Sequence, residues 1–173
     1  MLLFLIGLPG SGKTTLGKQL ASLLTIPFID LDKEIVKHYG LTIKEIFEEQ
    51  GEAAFREMES TTLRNLADKK PLIIATGGGA PCFHNNMEWM NANGTTLFLN
   101  PPLNELASRL SVAKNNHRPM LKNFTLDETL AFLEQKEKER SPYYSLAQLS
   151  LNVPSPNVDH LKKLLIDQGL IQS

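Results

Sequence analysis

Apolar positions along this chain fall into two rhythms. One is the short unbroken run. Met1 to Ile6 carries no polar side chain and reads as a buried strand. Ile26-Pro27-Phe28-Ile29, Leu72-Ile73-Ile74-Ala75-Thr76 and Thr95-Thr96-Leu97-Phe98-Leu99 read the same way. Leu149, Leu151 and Val153 alternate as a fifth strand. The other rhythm is helical. Leu16, Leu20, Leu23 and Leu24 mark a helix over Lys13 to Leu24, and a short one is expected from Lys33 to Tyr39. Thr42-Ile43-Lys44-Glu45 is a capping box that opens a helix with Ile43, Ile46 and Phe47 on one face, ended by Gly51. A longer helix is expected from about Glu52 to Asp68, with Phe55, Met58, Thr62 and Leu66 in register. Asn85 to Asn91 is a short helix whose Met87, Trp89 and Met90 belong to the core. Leu103, Leu106, Ala107 and Leu110 mark the next. Thr125-Leu126-Asp127-Glu128 caps a helix expected to run to Glu139 or Arg140, because Pro142 opposes simple continuation. Val158 to Asp167 is a final amphipathic helix stopped by Gly169. Strands alternating with helices predict an α/β chain. Between Val112 and Phe124 periodicity is lost in a basic, polar stretch, as in a lid.

Composition narrows this picture. At 173 residues the chain is one domain with room for a full core. Its 42% apolar and 21% charged residues are those of a globular protein. A net charge of −1 gives no general attraction to nucleic acid or to anionic membranes. Cys82 is the single cysteine, which excludes an internal disulfide framework and a cysteine metal cluster and suits a reducing compartment. The first apolar run is too short to span a bilayer and has no basic leader, so neither a membrane anchor nor a signal peptide is expected.

The strongest chemical signal is Gly7-Leu8-Pro9-Gly10-Ser11-Gly12-Lys13-Thr14. It fits the phosphate-loop template of Gly, four residues, then Gly-Lys-Thr, and it lies between a strand and a helix as that template requires. Glycines let the backbone bring N–H groups up to an anion at the helix N-terminus. Lys13 supplies a mobile positive charge for the outer phosphates, and the Thr14 hydroxyl is placed for Mg²⁺.

Other candidates cluster at expected strand ends, where open α/β sheets bind ligands. Asp30 and Asp32 follow the second strand, and two residues apart on a strand would point the same way. The alternative is a helix cap and a solvated acid. The third strand has no terminal acid, so Asp30 is the candidate for Mg²⁺. Gly77-Gly78-Gly79 follows that strand and offers bare backbone to a polar ligand; the alternative is a flexible turn. Arg56, near a helix start, needs an anionic partner. Glu59 fits, either as a surface ion pair or beside a ligand site. Arg140 is either an anion ligand or a cation at a helix end. The four histidines are scattered without ligand spacing, and Lys136-Glu137-Lys138-Glu139 reads as a solvated helix face.

Taken in a row, the phosphate loop, Asp30-Leu31-Asp32, Gly51-Glu52-Ala53-Ala54-Phe55-Arg56, Gly77-Gly78-Gly79, Arg118-Pro119-Met120-Leu121 and Arg140-Ser141-Pro142-Tyr143-Tyr144 resemble the shikimate kinase family over nearly the whole chain. The resemblance implies a three-layer α/β sandwich of the P-loop, nucleoside-monophosphate-kinase-like kind. Its central five-stranded parallel sheet would have the order 2-3-1-4-5, with a mobile lid at about residues 112–124 and a shikimate-binding region at about 32–60. The implied reaction is transfer of the ATP γ-phosphoryl group to the 3-hydroxyl of shikimate. By position, Gly10, Ser11, Gly12, Lys13, Thr14 and Thr15 would hold ATP. Thr14 and Asp30 would hold Mg²⁺. Asp32 would bind the accepting hydroxyl and act as, or help, the base. Arg56, Arg140, Gly78 and Gly79 would bind shikimate, Phe47 and Phe55 would wall its ring, and Arg118 would come down with the lid. Arg109 is the candidate for stacking on adenine. A monomer in the cytoplasm is expected, with no nucleic-acid or membrane partner. Rival readings are a gluconate or nucleoside monophosphate kinase, a nucleotide switch, for which no Asn-Lys-x-Asp or Asp-x-x-Gly motif is present, and a silent sensor.

Overall fold

The computed structural model describes residues 1–112 and 124–172. In chain order the elements are β1 (Leu2–Ile6), α1 (Lys13–Leu24), β2 (Phe28–Asp30), α2 (Leu31–Tyr39) and α3 (Ile43–Arg64). Next come β3 (Leu72–Ala75), a 3-10 turn (Ala80–Cys82), α4 (Asn86–Asn93), β4 (Thr95–Leu99) and α5 (Leu103–Val112). Then follow α6 (Leu126–Tyr144), β5 (Leu149–Leu151) and α7 (Val158–Asp167). The five strands form one sheet in the order β2-β3-β1-β4-β5, and every pairing is parallel.

All residues of β1 are buried, because the strand lies mid-sheet with both faces covered. Its side chains still alternate between two cores. Leu2, Phe4 and Ile6 pack with Leu72 and Ile74, with Ile35 of α2, with Ile46, Phe55 and Leu63 of α3, and with Leu106 and Leu133 of α5 and α6. Leu3 and Leu5 pack with Ile73, Leu97 and Leu99 against Leu16 and Leu20 of α1 and Leu161 and Leu165 of α7. These are the three layers. Truncating Leu5 to alanine would cost about 2–5 kcal/mol, the usual range for a core leucine. Gly17 lets α1 lie flush on the sheet, since a methyl there would fall 2.5 Å from Phe28 Cε2 and 2.9 Å from Leu5 Cδ1. That contact fixes the helix whose first turn follows the phosphate loop.

Several boundaries differ from the sequence expectation. β2 begins at Phe28 and ends at Asp30, and α2 starts at once with Leu31. Asp30 and Asp32 are therefore not on one strand, and strand alternation does not align them. Asp30 ends β2 and caps α2, while Asp32 is in the first turn of the helix. The capping box at Thr42 and Glu45 is present. Gly51, at φ 83° and ψ 173°, breaks the regular backbone, so α3 is two abutting helices that finish at Arg64, short of Asp68. Leu23 of α1 is 46% exposed and is not core.

α6 does not end near Arg140. It passes through Pro142 and reaches Tyr144. A proline removes one backbone donor, but here the last turn is closed beyond it by Ser145 N–H to Ser141 O at 2.9 Å and anchored by buried Tyr144. β5 ends at Leu151, and Val153 only packs beside the second core. The expected lid falls almost wholly on residues 113–123, so it and Arg118 lie outside the described residues.

Candidate active site

The C-terminal edge of the sheet gathers the candidates. The phosphate loop leaves β1 and closes on itself through Ser11 N–H to Leu8 O at 3.2 Å. Gly12, at φ 96°, is the N-cap of α1 and has no side chain to offer, so no side-chain hydrogen bond caps this helix. The first-turn N–H groups thus face the loop as an anion cradle. Ser11 is buried. Lys13 Nζ is folded back on the loop and donates to Gly7 O at 2.8 Å and Leu8 O at 2.9 Å. An ammonium on a four-carbon stem can exchange these carbonyls for phosphate oxygens.

Asp30 joins α1 to α2. Its Oδ2 accepts from Thr14 Oγ1 at 2.8 Å, and Oδ1 accepts from Lys33 N–H at 3.4 Å. The capping alternative for this acid is thus real, and so is its contact with the loop threonine. One carboxylate does both. Asp32 is exposed, in the turn just beyond.

The glycine triplet is where the other charges meet. None of its glycines has a positive φ. What they supply is room. A methyl on Gly77 would lie 2.8 Å from Glu59 Oε1 and 3.0 Å from Asp32 Oδ1. On Gly78 it would lie 2.6 Å from Arg140 Nη1, 3.4 Å from Gly7 O and 3.6 Å from Pro9 Cδ. On Gly79 it would lie 2.7 Å from Arg56 Nη2. Each consecutive glycine accommodates a different charged group, and the middle one also touches the phosphate loop. The triplet is therefore a packed joint between α2, α3, α6 and the loop after β1, and the flexible-turn reading fails.

Arg56 is held from several sides. Its Nη1 donates to Glu59 at 2.9 Å, and its Nη2 and Nε donate to Glu52 at 3.0 and 3.2 Å. The guanidinium lies 4.3 Å from the Phe83 ring centre and 5.0 Å from that of Phe55. Phe47 packs on Phe55 at 4.8 Å. Glu59 is fully buried, so its pairing with Arg56 is no surface ion pair. Burial pushes its carboxyl up to about 7, with the nearby Asp32 adding to the shift and Arg56 and Arg140 opposing it. Its Oε1 has no hydrogen-bond partner. Arg140, half-buried on α6, approaches Gly78 and lies beside the Tyr144 hydroxyl, where it opposes the rise in ionisation that burial imposes. It lies more than a turn before the helix end, which removes the helix-end explanation for this residue. Arg109 donates to Gly10 O at 3.3 Å and pairs with Glu105.

Sequence reasoning missed a second network that holds this joint. Arg64 donates to Asn86 Oδ1 at 2.8 Å and to His84 O at 2.8 Å, and Asn86 donates to Ala80 O at 2.9 Å. It fastens α3, which carries Arg56, to the turn after the triplet. Nothing in the local pattern of Arg64 or Asn86 signals it.

With two cationic forks, exposed and buried acids, and an anion cradle at one edge, the arrangement suits a polyphosphate beside a small carboxylated molecule. Comparison with known proteins agrees. The family model described as shikimate kinase matches residues 9–158. A shikimate kinase of Bacteroides fragilis is 50% identical over 145 residues, covering 84% of this chain and 80% of that protein. The crystal structure of shikimate kinase from Bacteroides thetaiotaomicron superposes with a TM-score of 0.89 at 40% identity, covering 100% of this chain and 99% of that one. That of Acinetobacter baumannii, solved in complex with shikimate, gives a TM-score of 0.84 at 33% identity, covering 99% and 95% of the two chains. Fold, site and sequence thus converge: the chain belongs to the shikimate kinase family.

Proposed function

We propose that this chain transfers the γ-phosphoryl group of ATP to the 3-hydroxyl of shikimate, giving shikimate 3-phosphate and ADP, as its family membership implies. The observation that carries the reading is the convergence of Asp32, Arg140 and Arg56 on three successive glycines, the middle one against the phosphate loop.

In this reading the backbone N–H groups of Gly10, Ser11, Gly12, Lys13, Thr14 and Thr15 cradle the phosphates, Ser11 N–H giving up Leu8 O and Lys13 leaving its carbonyl partners to reach the outer phosphates. Arg56 and Arg140 meet the substrate carboxylate with planar guanidinium forks, helped by backbone N–H of Gly79 and the bare edge of Gly78. That fixes the ring, walled by Phe47 and Phe55, so that the 3-hydroxyl faces Asp32. Asp32 accepts the hydroxyl proton as the oxygen attacks phosphorus and ADP departs. Catalysis here is mainly positioning and charge stabilisation. Arg118 is assigned to the transferring phosphate by the family likeness of its motif.

Thr14 and Asp30 fit a magnesium ion. Their oxygens are 2.8 Å apart, both are hard donors, and the site adjoins the phosphate cradle. Among the described residues no group of three or more His, Cys, Asp or Glu is gathered for a metal, which suits an ion completed by phosphate oxygens and water. Bound there, Mg²⁺ would supply positive charge against the phosphates. The same reading takes the enzyme to be a cytoplasmic monomer. No helix among the described residues is long and apolar enough to cross a membrane.

The test is an ADP-release assay offering shikimate, gluconate and a nucleoside monophosphate in turn. Turnover with shikimate alone is expected. Turnover with gluconate or the nucleotide and none with shikimate would overturn the reading.

A further inference from the structure

Tyr144 ends α6 and is 1% exposed, yet its hydroxyl is not spent on packing. The ring lies on Phe98 at 4.9 Å between centres, a contact a phenylalanine would make as well. The hydroxyl instead donates to Gly78 O at 2.5 Å, and the Arg140 guanidinium, one turn earlier on the same helix face, lies near enough to act on it. A buried hydroxyl is costly unless bonded. This one is bonded to Gly78 O, and both Gly78 and the neighbouring Arg140 are parts of the carboxylate site.

We propose that the Tyr144 hydroxyl is a positioning group for substrate binding, fixing the Gly78–Gly79 peptide and the Arg140 guanidinium in a single relation. The proposal rests on the reading that Arg140 and Gly79 receive the substrate carboxylate.

The physical basis is the planarity of the peptide. In a trans peptide the carbonyl of one residue and the N–H of the next point to opposite sides. With Gly78 O tied to Tyr144, Gly79 N–H points the opposite way within the same plane. A Gly-Gly peptide needs such a tie, because neither residue has a Cβ to limit its rotation. Gly78 is also the residue against which Arg140 Nη1 lies, so a rotated peptide would move the bed of the guanidinium. The phenol can do this across the working pH range: burial pushes its ionisation up to about 12, against the opposing effect of Arg140, so it keeps its proton as a donor.

The experiment is Tyr144→Phe in the full chain, beside Arg140→Ala. For Tyr144→Phe, the shikimate KM is expected to rise about tenfold, on the scale of one lost hydrogen bond in a charged site. The ATP KM and the melting temperature should stay close to wild type, because the ring remains on Phe98. Arg140→Ala should also raise the shikimate KM, and the double variant should fall short of the product of the two effects. A rise for Arg140→Ala with none for Tyr144→Phe overturns the positioning role alone. No rise for Arg140→Ala overturns the carboxylate-site reading, and the proposal with it. A lowered melting temperature with equal weakening of ATP and shikimate reduces Tyr144 to a packing residue. Should Tyr144→Phe not fold, a wild-type crystal structure with shikimate decides. Tyr144 Oη bonded to Gly78 O, with Gly79 N–H on the shikimate carboxylate, supports the proposal. A reversed Gly78–Gly79 peptide overturns it.

Discussion

Glu59 Oε2 accepts a 2.9 Å hydrogen bond from Arg56 Nη1 while its carboxyl group is wholly shut off from solvent. Burial pushes that carboxyl from its ordinary 4.5 up to about 7. The folded protein therefore holds this proton more tightly than the unfolded chain does. Its contribution to stability is complete below about pH 4.5 and is lost as pH rises through about 7. The stability of wild type relative to Glu59→Gln should thus fall by on the order of 1–3 kcal/mol between those limits. Urea unfolding at a series of pH values measures it. A difference independent of pH would return Glu59 to the ordinary carboxylate range.

The same pair links binding to protons. A substrate carboxylate placed on Arg56 and Arg140 adds negative charge near Glu59 and weakens their hold on its ionised form. Near neutral pH, shikimate binding should take up a fraction of a proton. Calorimetry in buffers of different ionisation enthalpy would detect it, and Glu59→Gln should abolish it. Equal uptake in the variant would place the proton elsewhere.

Asp32→Asn keeps shape and removes the proposed base. ATP binding should be nearly intact and turnover should fall by about 10²-fold or more. Nucleotide titration and steady-state rates separate the two effects. Undiminished turnover would leave Asp32 only an orienting role.

Arg56→Lys keeps the charge and loses the fork. Lysine cannot bond Glu52, Glu59 and a carboxylate in one plane. The shikimate KM should rise about tenfold or more, with the ATP KM unchanged. A wild-type KM would show that charge alone suffices at this position.

Gly79→Ala tests room, not backbone freedom. Gly79 has φ −88°, which alanine adopts readily, but the added methyl would lie 2.7 Å from Arg56 Nη2. The guanidinium must move, so the fold and melting temperature should survive while shikimate affinity drops. An unchanged KM would mean that Arg56 can shift without consequence.

Much of this was legible in the residues because it is local. The phosphate loop, the capping boxes at Thr42 and Thr125 and the periodic helices depend on neighbours a few positions apart, and all are present. Errors came where distant packing overrides local preference. Pro142 predicted a stop, but burial of Tyr144 carries α6 past it. Asp30 and Asp32 looked like a strand pair, but the strand ends at Asp30, whose carboxylate begins the next helix.

The site divides along the same line. Chain order alone determined that a phosphate loop joins a buried strand to a helix, and that acids, arginines and a glycine triplet occur at the spacings of a shikimate kinase. It could not say why the triplet is glycine, nor separate Arg56 and Arg140 from ordinary helix charges. Only the folded chain decided that. The parallel sheet places β1 beside β3 and brings α2, α3 and α6 over its edge, so that residues far apart in sequence compete for the same few ångströms at Gly77, Gly78 and Gly79. Burial and close approach are properties of three-dimensional neighbours, and no periodicity along the chain encodes them.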